Sequence, residues 1–102
     1  MSRKRNNMFS KNDKTPDMEI FTIYDTKSKS YRAPSYGLNK HVVIREITNL
    51  LRDPAQAQNV LLLNAEDFQI FKIGEYDYQT GMITSHKPEH IANLHEIKAS
   101  LQ

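Results

Sequence analysis

The segment Phe68–Tyr76 constrains the fold more than any other part of this sequence. Its residues, FQIFKIGEY, include several β-branched and aromatic side chains, which favour a β-strand. Apolar residues occupy both sets of alternating positions, and these two sets project from opposite faces of a strand. A strand that is apolar on both faces is typical of the middle of a sheet, so we predict that this segment is a central strand.

A stripe of apolar residues predicts a helix between Asn39 and Pro54. The stripe recurs at helical spacing and consists of Val43, Ile44, Ile47, Leu50 and Leu51. Asn39 is a good N-cap because its side chain accepts hydrogen bonds from a first helical turn, and the residue before a proline avoids helical angles. The apolar run at residues 60–63 is too short to distinguish a buried strand from a packed loop.

Shorter patterns predict strands before this helix. Residues 19–24 are mainly β-branched and aromatic and predict a first strand, which a polar turn follows. Residues 31–34 predict a short return strand, and Pro34 confines that strand to an edge of the sheet. Residues 35–37 are predicted to form a loop. This part of the chain is therefore expected to contribute one or two strands.

The sequence after the central strand predicts a hairpin and a second helix. Asp77–Gly81 fits a hairpin loop in which Gly81 is left-handed, and residues 82–84 form the returning strand. Pro88 suits the first turn of a final helix, whose apolar side consists of Ile91, Leu94, Ile97 and Leu101. We therefore predict an α+β fold in the order β-(β)-α-β-β-α, with a three- to four-stranded, mostly antiparallel sheet and two helices packed on one face.

Composition and charge divide the chain of 102 residues into a tail and one domain. Residues 1–17 contain few apolar side chains and are predicted to form a disordered basic tail, while residues 18–102 are predicted to form a single α+β domain. Residues 1–40 carry nine lysines and arginines against four acidic residues, a net charge of +5, which leaves −3 for residues 41–102. This asymmetry indicates a basic arm or face that meets nucleic acid or an acidic protein surface, or else a charged tail that only keeps the protein soluble.

Several classes of chemistry find no support in the sequence. The chain has no cysteine, which excludes disulfides, thiolate zinc sites and a thiol nucleophile. No phosphate-binding glycine loop or nucleophile elbow is present, so we predict neither an enzyme nor a cofactor. Instead of a metal site, we predict a solvent-facing helix surface for His86, Glu89, His90 and His95. No apolar run is long enough to cross a membrane and no secretory signal is visible, so we expect an intracellular protein.

Basic and aromatic residues alternate between the first strand and the helix, as in a site for single-stranded nucleic acid. Such sites combine basic groups that contact phosphates with aromatic rings that stack on bases, worth about 1–3 kcal/mol per base. The predicted site consists of Lys27, Lys29, Tyr31, Arg32, Tyr36 and Lys40, with further phosphate attraction from Arg3, Lys4 and Arg5. The alternative is that Tyr24 and Tyr31 are cross-strand neighbours and that the lysines protect an edge strand from aggregation.

Five short stretches resemble the small nonstructural protein of the gokushoviruses, which are microviruses with single-stranded DNA genomes. In chain order they are residues 21–27, residues 45–51 with Asp53-Pro54, Glu66-Asp67-Phe68, residues 73–77 and Thr80-Gly81. The most specific piece is E-D-F-x-I-F-x-I-G-E-Y-D-x-x-T-G at residues 66–81, and the resemblance covers residues 18 to about 97. Two features depart from the family: the basic residues 1–17 precede its usual start, and Asn64-Ala65 stands where a proline is expected.

The resemblance implies a non-enzymatic nonstructural accessory protein that acts in phage genome synthesis or packaging. It brings no active-site residues with it. Together with the basic and aromatic segment, it predicts binding to single-stranded phage DNA in the host cytoplasm. The alternative prediction is a protein–protein adaptor that engages the phage replication initiator, the procapsid or a host factor. No membrane partner is predicted.

Overall fold

The computed structural model describes residues 16–101 of the chain. Most of the predicted tail lies outside the described residues, and so do Arg3, Lys4 and Arg5 of the predicted site. The helices and strands are, in chain order, β1 (Met18–Asp25), β2 (Ser30–Tyr31), β3 (Ser35–Gly37), α1 (Lys40–Arg52), α2 (Val60–Leu63), β4 (Phe68–Tyr76), β5 (Ile83–Asn93) and α3 (Leu94–Ala99). Short 3-10 turns follow α1 and α2, at Pro54–Gln56 and Ala65–Asp67.

The five strands form one antiparallel sheet in the order β2-β1-β4-β5, and β3 pairs with the same edge of β1 as β2 does. The α+β fold class is therefore confirmed. The described residues contain one strand and one α-helix more than the upper end of the prediction. Because β4 pairs with β1 on one side and with β5 on the other, the predicted central position of Phe68–Tyr76 is also confirmed.

Helix α1 begins and ends where the sequence predicts. The Asn39 Oδ1 atom accepts a hydrogen bond from the backbone N–H of Val42 at 3.0 Å, which satisfies a donor of the first turn. The helix ends at Arg52, and the Asp53 side chain then accepts the N–H of Ala55 at 2.9 Å and begins the 3-10 turn that contains Pro54.

The hydrophobic core lies between one face of the sheet and the helices. Its buried members are Phe21, Val43, Leu51, Leu61, Ala65, Phe68, Ile70, Leu94 and Ile97. They come from β1, β4, all three α-helices and the 3-10 turn Ala65–Asp67, so each α-helix packs its apolar side against the same face of the sheet. In the part of the chain that the structure describes, no helix is long and apolar enough to span a membrane.

Strand β3 corrects the predicted loop at residues 35–37. Tyr36 lies opposite Ile20 of β1, and Gly37 lies opposite Glu19. A strand forms here because Gly37 lets the backbone approach α1: a Cβ atom at this position would be 2.4 Å from the Cγ2 of Val43. This approach depends on tertiary contacts and therefore leaves no periodic pattern in the sequence.

Residues 60–63 form the one-turn helix α2, so the prediction of a strand or a packed loop is wrong. The Asn59 Oδ1 atom caps the turn by accepting the N–H of Leu61 at 2.9 Å. The ammonium group of Lys98 donates to the carbonyl of Leu62 at 3.2 Å, which satisfies an acceptor at the C-terminal end. These two contacts and the burial of Leu61 stabilise a segment too short to be helical alone.

Strand β5 is much longer than the predicted return strand, and Pro88 lies within it rather than in a helix. Residues 86–88 have no direct partner on β4, because Ser85 pairs with Gly74 and the next pair is Glu89 with Lys72. A proline is tolerated at such an irregularity on an edge strand, where its missing N–H breaks no ladder hydrogen bond. The final helix begins only at Leu94.

The hairpin between β4 and β5 has the predicted geometry. Gly81 is left-handed, with φ at 72°, and its N–H donates to the carbonyl of Asp77 at 2.9 Å. The Asp77 carboxylate also accepts the N–H of Gln79 at 2.8 Å. Asp17 lies just before β1, at the same end of the antiparallel β1–β4 pair, and its carboxylate accepts the N–H of Tyr78 at 2.8 Å.

Lys72 is held in an ion pair on the inner strands. Its ammonium group lies 3.4 Å from the Glu19 carboxylate and 3.2 Å from that of Glu75, and its side chain is only 16% exposed. Burial alone lowers the pKa of Lys72, but the hydrogen bond to Glu75 and the nearby negative charges outweigh it and raise the pKa above 10.5. Lys72 is therefore a charged structural residue rather than an exposed cation.

Candidate nucleic-acid interface

Within residues 16–101, no helix covers one face of the sheet, and we call this face the open face. Side chains alternate along β1, and Phe21 and Ile23 join the core that contacts the helices. The intervening residues of β1 therefore project from the open face, and they are Met18, Ile20, Thr22 and Tyr24. Residues directly opposite them on neighbouring strands share this face.

Four rings form an aromatic cluster at one end of the open face, and we call it the Tyr31 cluster: Tyr24, Tyr31, Phe71 and His90. Tyr24 pairs with Tyr31 across β1 and β2, and Phe71 pairs with His90 across β4 and β5. The ring centroids of Tyr24 and Tyr31 are 4.6 Å apart. Phe71 lies 6.0 Å from Tyr24, 5.9 Å from Tyr31 and 5.4 Å from His90. The cluster thus spans β2, β1, β4 and β5 without interruption.

The packing of the cluster fixes its rings but leaves part of them accessible. Phe71 meets its neighbours edge to face, which is a favourable aromatic geometry. Tyr31 stays 49% exposed although two rings contact it. The imidazole Nε2 of His90 lies 2.8 Å from the Oδ1 of Asn93, so its orientation is also fixed. A flat group that approaches this face meets rings that are already ordered.

The turn between β1 and β2 presents Lys27 and Lys29 next to this cluster. The Asp25 carboxylate accepts the N–H of Lys27 at 2.9 Å and that of Ser28 at 3.3 Å. The hydrogen bond from Lys27 is the main cause of the lowered pKa of Asp25. Lys29 adopts a left-handed conformation, with φ at 58°, and its N–H donates to the Asp25 carbonyl at 2.7 Å. Both lysines are exposed, so the turn holds two cations at the edge of the open face.

Arg32 lies on the other side of the sheet from Tyr31, although the two are adjacent in sequence. Its guanidinium carbon is 5.9 Å from the ring centroid of Phe68, which belongs to the core. Its backbone N–H donates to the Ile23 carbonyl at 2.8 Å, and its carbonyl accepts the Thr22 hydroxyl at 2.6 Å. The side chain lines a small cleft against α1. The structure therefore does not bring Arg32 and Tyr31 together on one surface.

Tyr36 lies on the open face but in a different group of rings. Its centroid is 5.8 Å from that of Tyr76, and Tyr76 is 5.8 Å from Tyr78. Tyr36 pairs with Ile20, and Tyr31 pairs with Tyr24. Because these partners are four residues apart along β1, Tyr36 and Tyr31 are separated by roughly 13 Å. Lys40 is the first residue of α1 and belongs to the helical layer.

The sequence alone did not indicate Phe71 and His90 as site residues. The sequence predicts a central strand for Phe71 and a helix surface for His90, and His90 in fact lies on strand β5. Their place in the cluster follows from strand register, which no local motif encodes. The predicted cross-strand pairing of Tyr24 with Tyr31 is confirmed, and it leaves Tyr31 half-exposed.

The histidines are also separated by the fold. His86 and His90 lie on β5, whereas His95 lies on α3, so the predicted common helix surface is wrong. Within residues 16–101, no group of three or more histidine or acidic side chains is arranged to hold a metal ion.

The comparisons with known proteins place the chain in a class of phage proteins. The family described as Phage ORF5 protein matches residues 18–97, a range that runs from the start of β1 into α3. The chain belongs to the Phage ORF5 protein family. The expected resemblance to a phage protein is thereby confirmed at the level of the family. Neither the comparison with curated proteins nor the comparison with solved structures finds a match.

Proposed function

We propose that this chain is a non-enzymatic accessory protein that binds single-stranded phage DNA through the open face of its sheet. The observation that supports the proposal most is the Tyr31 cluster, in which Tyr31 is half-exposed and held by Tyr24 and Phe71. Aromatic side chains on an exposed sheet surface are a recurrent platform for single-stranded nucleic acids, because every base has a face that can stack.

The charges beside the cluster favour a single strand over an apolar ligand. Lys27 and Lys29 are exposed on a turn that hydrogen bonds hold, so they can contact phosphates while a base stacks on Tyr31. Lys40 and the tail residues Arg3, Lys4 and Arg5 add positive charge that attracts phosphates without reading sequence. Because Arg32 faces the core side, we assign it only to this long-range attraction.

A duplex fits this surface less well than a single strand. The bases of duplex DNA are stacked on one another, and a flat protein ring cannot reach their faces without unstacking them. A single strand exposes base faces at no such cost. We therefore expect a preference for single-stranded DNA and no marked dependence on base sequence.

The biological setting of the proposal comes from the phage family and from the sequence resemblance. Membership of the Phage ORF5 protein family supports a phage role. The piece at residues 66–81 resembles the small nonstructural protein of the gokushoviruses, whose genomes are single-stranded DNA. We propose that the protein acts in the host cytoplasm during synthesis or packaging of such a genome.

Fluorescence anisotropy with a labelled thymidine oligonucleotide tests the proposal. Tyr31→Ala should weaken binding by about 1–3 kcal/mol, roughly 5- to 150-fold, because one stacked base loses its partner. Tyr31→Phe keeps the ring and should bind like the wild type. The matched control is Tyr78→Ala, which removes an exposed tyrosine from the other end of the same face and should leave DNA binding unchanged.

A salt series separates stacking from phosphate contacts. The logarithm of affinity should fall with the logarithm of salt concentration by about 0.7 per phosphate contact. The double variant Lys27→Ala/Lys29→Ala should reduce this slope by about 1.4 if each lysine makes one contact. Absence of binding at low salt, or equal binding by wild type and Tyr31→Ala, refutes the proposal and favours the protein-adaptor alternative.

A further inference from the structure

The second group of rings on the open face forms a cleft, which we call the tyrosine cleft: Met18, Tyr36, Tyr76 and Tyr78. The cleft has a volume of about 360 Å³. Tyr36 is 51% exposed and Tyr78 is 63% exposed, so their rings line the opening. Ile83 pairs with Tyr76 across β4 and β5 and is 57% exposed, which extends the apolar surface beyond the cleft.

The walls of the cleft are held in place by the backbone. Met18 of β1 lies opposite Tyr76 of β4, and Tyr36 of β3 lies opposite Ile20 of β1. Pairing of β1 with β3 and β4 therefore positions these walls. Tyr78 follows β4 on the hairpin, where its N–H donates to the Asp17 carboxylate at 2.8 Å. The three tyrosines meet edge to face, with interplanar angles of 65° and 69°. The cleft is therefore ordered before any ligand arrives.

The charge around the cleft is negative. Two acidic residues, Asp17 and Asp77, are sequence neighbours of the lining residues Met18, Tyr76 and Tyr78 at this end of the face, and no lysine, arginine or histidine lies within two positions of any lining residue. Glu19 and Glu75 project from the helix-covered face, where they pair with Lys72, so they do not contribute to the cleft. The Asp17 carboxylate accepts the backbone N–H of Tyr78. This contrasts with the opposite end of the face, where Lys27 and Lys29 flank the Tyr31 cluster. A phosphate backbone is repelled by the tyrosine cleft and attracted to the other end.

We propose that the tyrosine cleft docks a partner protein by taking one of its arginine side chains. A guanidinium group stacks on tyrosine rings, and it donates hydrogen bonds to carboxylates in a planar fork. Asp17 provides a carboxylate at the rim, and the aromatic walls provide the ring faces. Tyrosine, methionine and arginine are also enriched at protein interfaces, and Ile83 supplies apolar contact next to the anchor. This proposal does not depend on DNA binding at the Tyr31 cluster.

The test uses a capped, labelled peptide of alternating glycine and arginine as the probe, with the full chain. Nuclear magnetic resonance titration should shift the backbone amide signals of Tyr76 and Tyr78 in a saturable manner. Tyr78→Ala should weaken peptide binding roughly tenfold, because one wall of the cation-binding surface is lost. Asp17→Asn removes the carboxylate charge but keeps an acceptor for the Tyr78 N–H, and it should weaken binding by about threefold. The matched control, Tyr31→Ala, should bind the peptide like the wild type.

Two further measurements keep the result interpretable. The ring of Tyr78 is mostly exposed, so the thermal unfolding midpoint of Tyr78→Ala should match that of the wild type, which excludes misfolding as the cause of lost binding. A peptide in which lysine replaces arginine should bind more weakly, because an ammonium group lacks the planar fork. The proposal is overturned if the peptide fails to saturate or if Tyr78→Ala binds it as tightly as the wild type. It is also overturned if Tyr78→Ala loses single-stranded DNA, since the cleft then belongs to the path of the DNA.

Discussion

Replacing Gly37 with alanine tests how closely β3 lies against α1. A Cβ atom at this position would be 2.4 Å from the Cγ2 of Val43 and 3.5 Å from the ring of Phe21. Carbon atoms in contact normally lie about 3.5–4.0 Å apart. The added methyl group therefore forces a displacement of roughly 1 Å in a packed core. Gly37 is not left-handed, so steric crowding is the effect that this substitution measures.

The expected magnitudes follow from core packing. Overpacking of this kind costs about 1–3 kcal/mol, so Gly37→Ala should lower the free energy of unfolding by roughly 2 kcal/mol. Val43→Ala removes two methyl groups from a side chain that is 7% exposed, which should cost about 1.5–2.5 kcal/mol. In the double variant, the new methyl group at position 37 partly fills the space left at position 43. We therefore expect the double variant to be more stable than the sum of the single effects by about 1–2 kcal/mol.

Urea unfolding followed by circular dichroism measures this coupling in four proteins: the wild type, the two single variants and the double variant. Equal denaturant slopes in all four validate the comparison, because the slope reports the surface exposed on unfolding. Residues that do not touch show additive effects within about 0.3–0.5 kcal/mol. Additive effects of Gly37→Ala and Val43→Ala, or a fully stable Gly37→Ala, would refute the close packing of β3 on α1.

Two further predictions concern the central strand β4. Gly74→Ala would place a Cβ atom 2.5 Å from the carbonyl oxygen of Thr84. This overpacking should cost about 1–3 kcal/mol of unfolding free energy, and each kcal/mol lost should lower the thermal midpoint by roughly 4–8 °C. An unchanged midpoint would contradict this contact. The pKa of Lys72 is raised in the folded state, because its interactions with Glu75 and Glu19 outweigh the effect of burial. The stability that these ion pairs contribute is therefore fully present below pH 10.5 and is lost as the pH rises through the folded pKa. The stability difference between the wild type and Lys72→Met in urea should therefore shrink above pH 10.5, and a difference independent of pH would contradict the assignment.

Elements with a complete local signal were predicted correctly. The apolar stripe, the Asn39 cap and Pro54 together define α1, and each acts over a few residues. Gly81 closes the β4–β5 hairpin because glycine adopts the left-handed conformation without strain. The central position of Phe68–Tyr76 was visible because both of its faces are apolar.

The elements predicted wrongly depend on distant contacts. Strand β3 exists because Gly37 packs against Val43. Helix α2 is stabilised by a hydrogen bond from Lys98, which lies in the distant helix α3, to the carbonyl of Leu62. The local sequence around Pro88 predicts the start of a helix. Ser85 and Glu89 on either side of it nevertheless pair with β4 and continue the strand. In each case tertiary contacts override a weak local preference.

The candidate site shows the same division between local and distant information. The sequence by itself determined which kinds of groups were available: exposed basic and aromatic residues around Tyr31 and an acidic second half of the chain. Only the tertiary structure decided how they are grouped. Strand register placed Phe71 and His90 beside Tyr31, alternation turned Arg32 to the core side, and the length of β1 separated Tyr36 from Tyr31. Cross-strand neighbours are distant in sequence, and their pairing is selected by the packing of the whole sheet, so no local pattern could have revealed it.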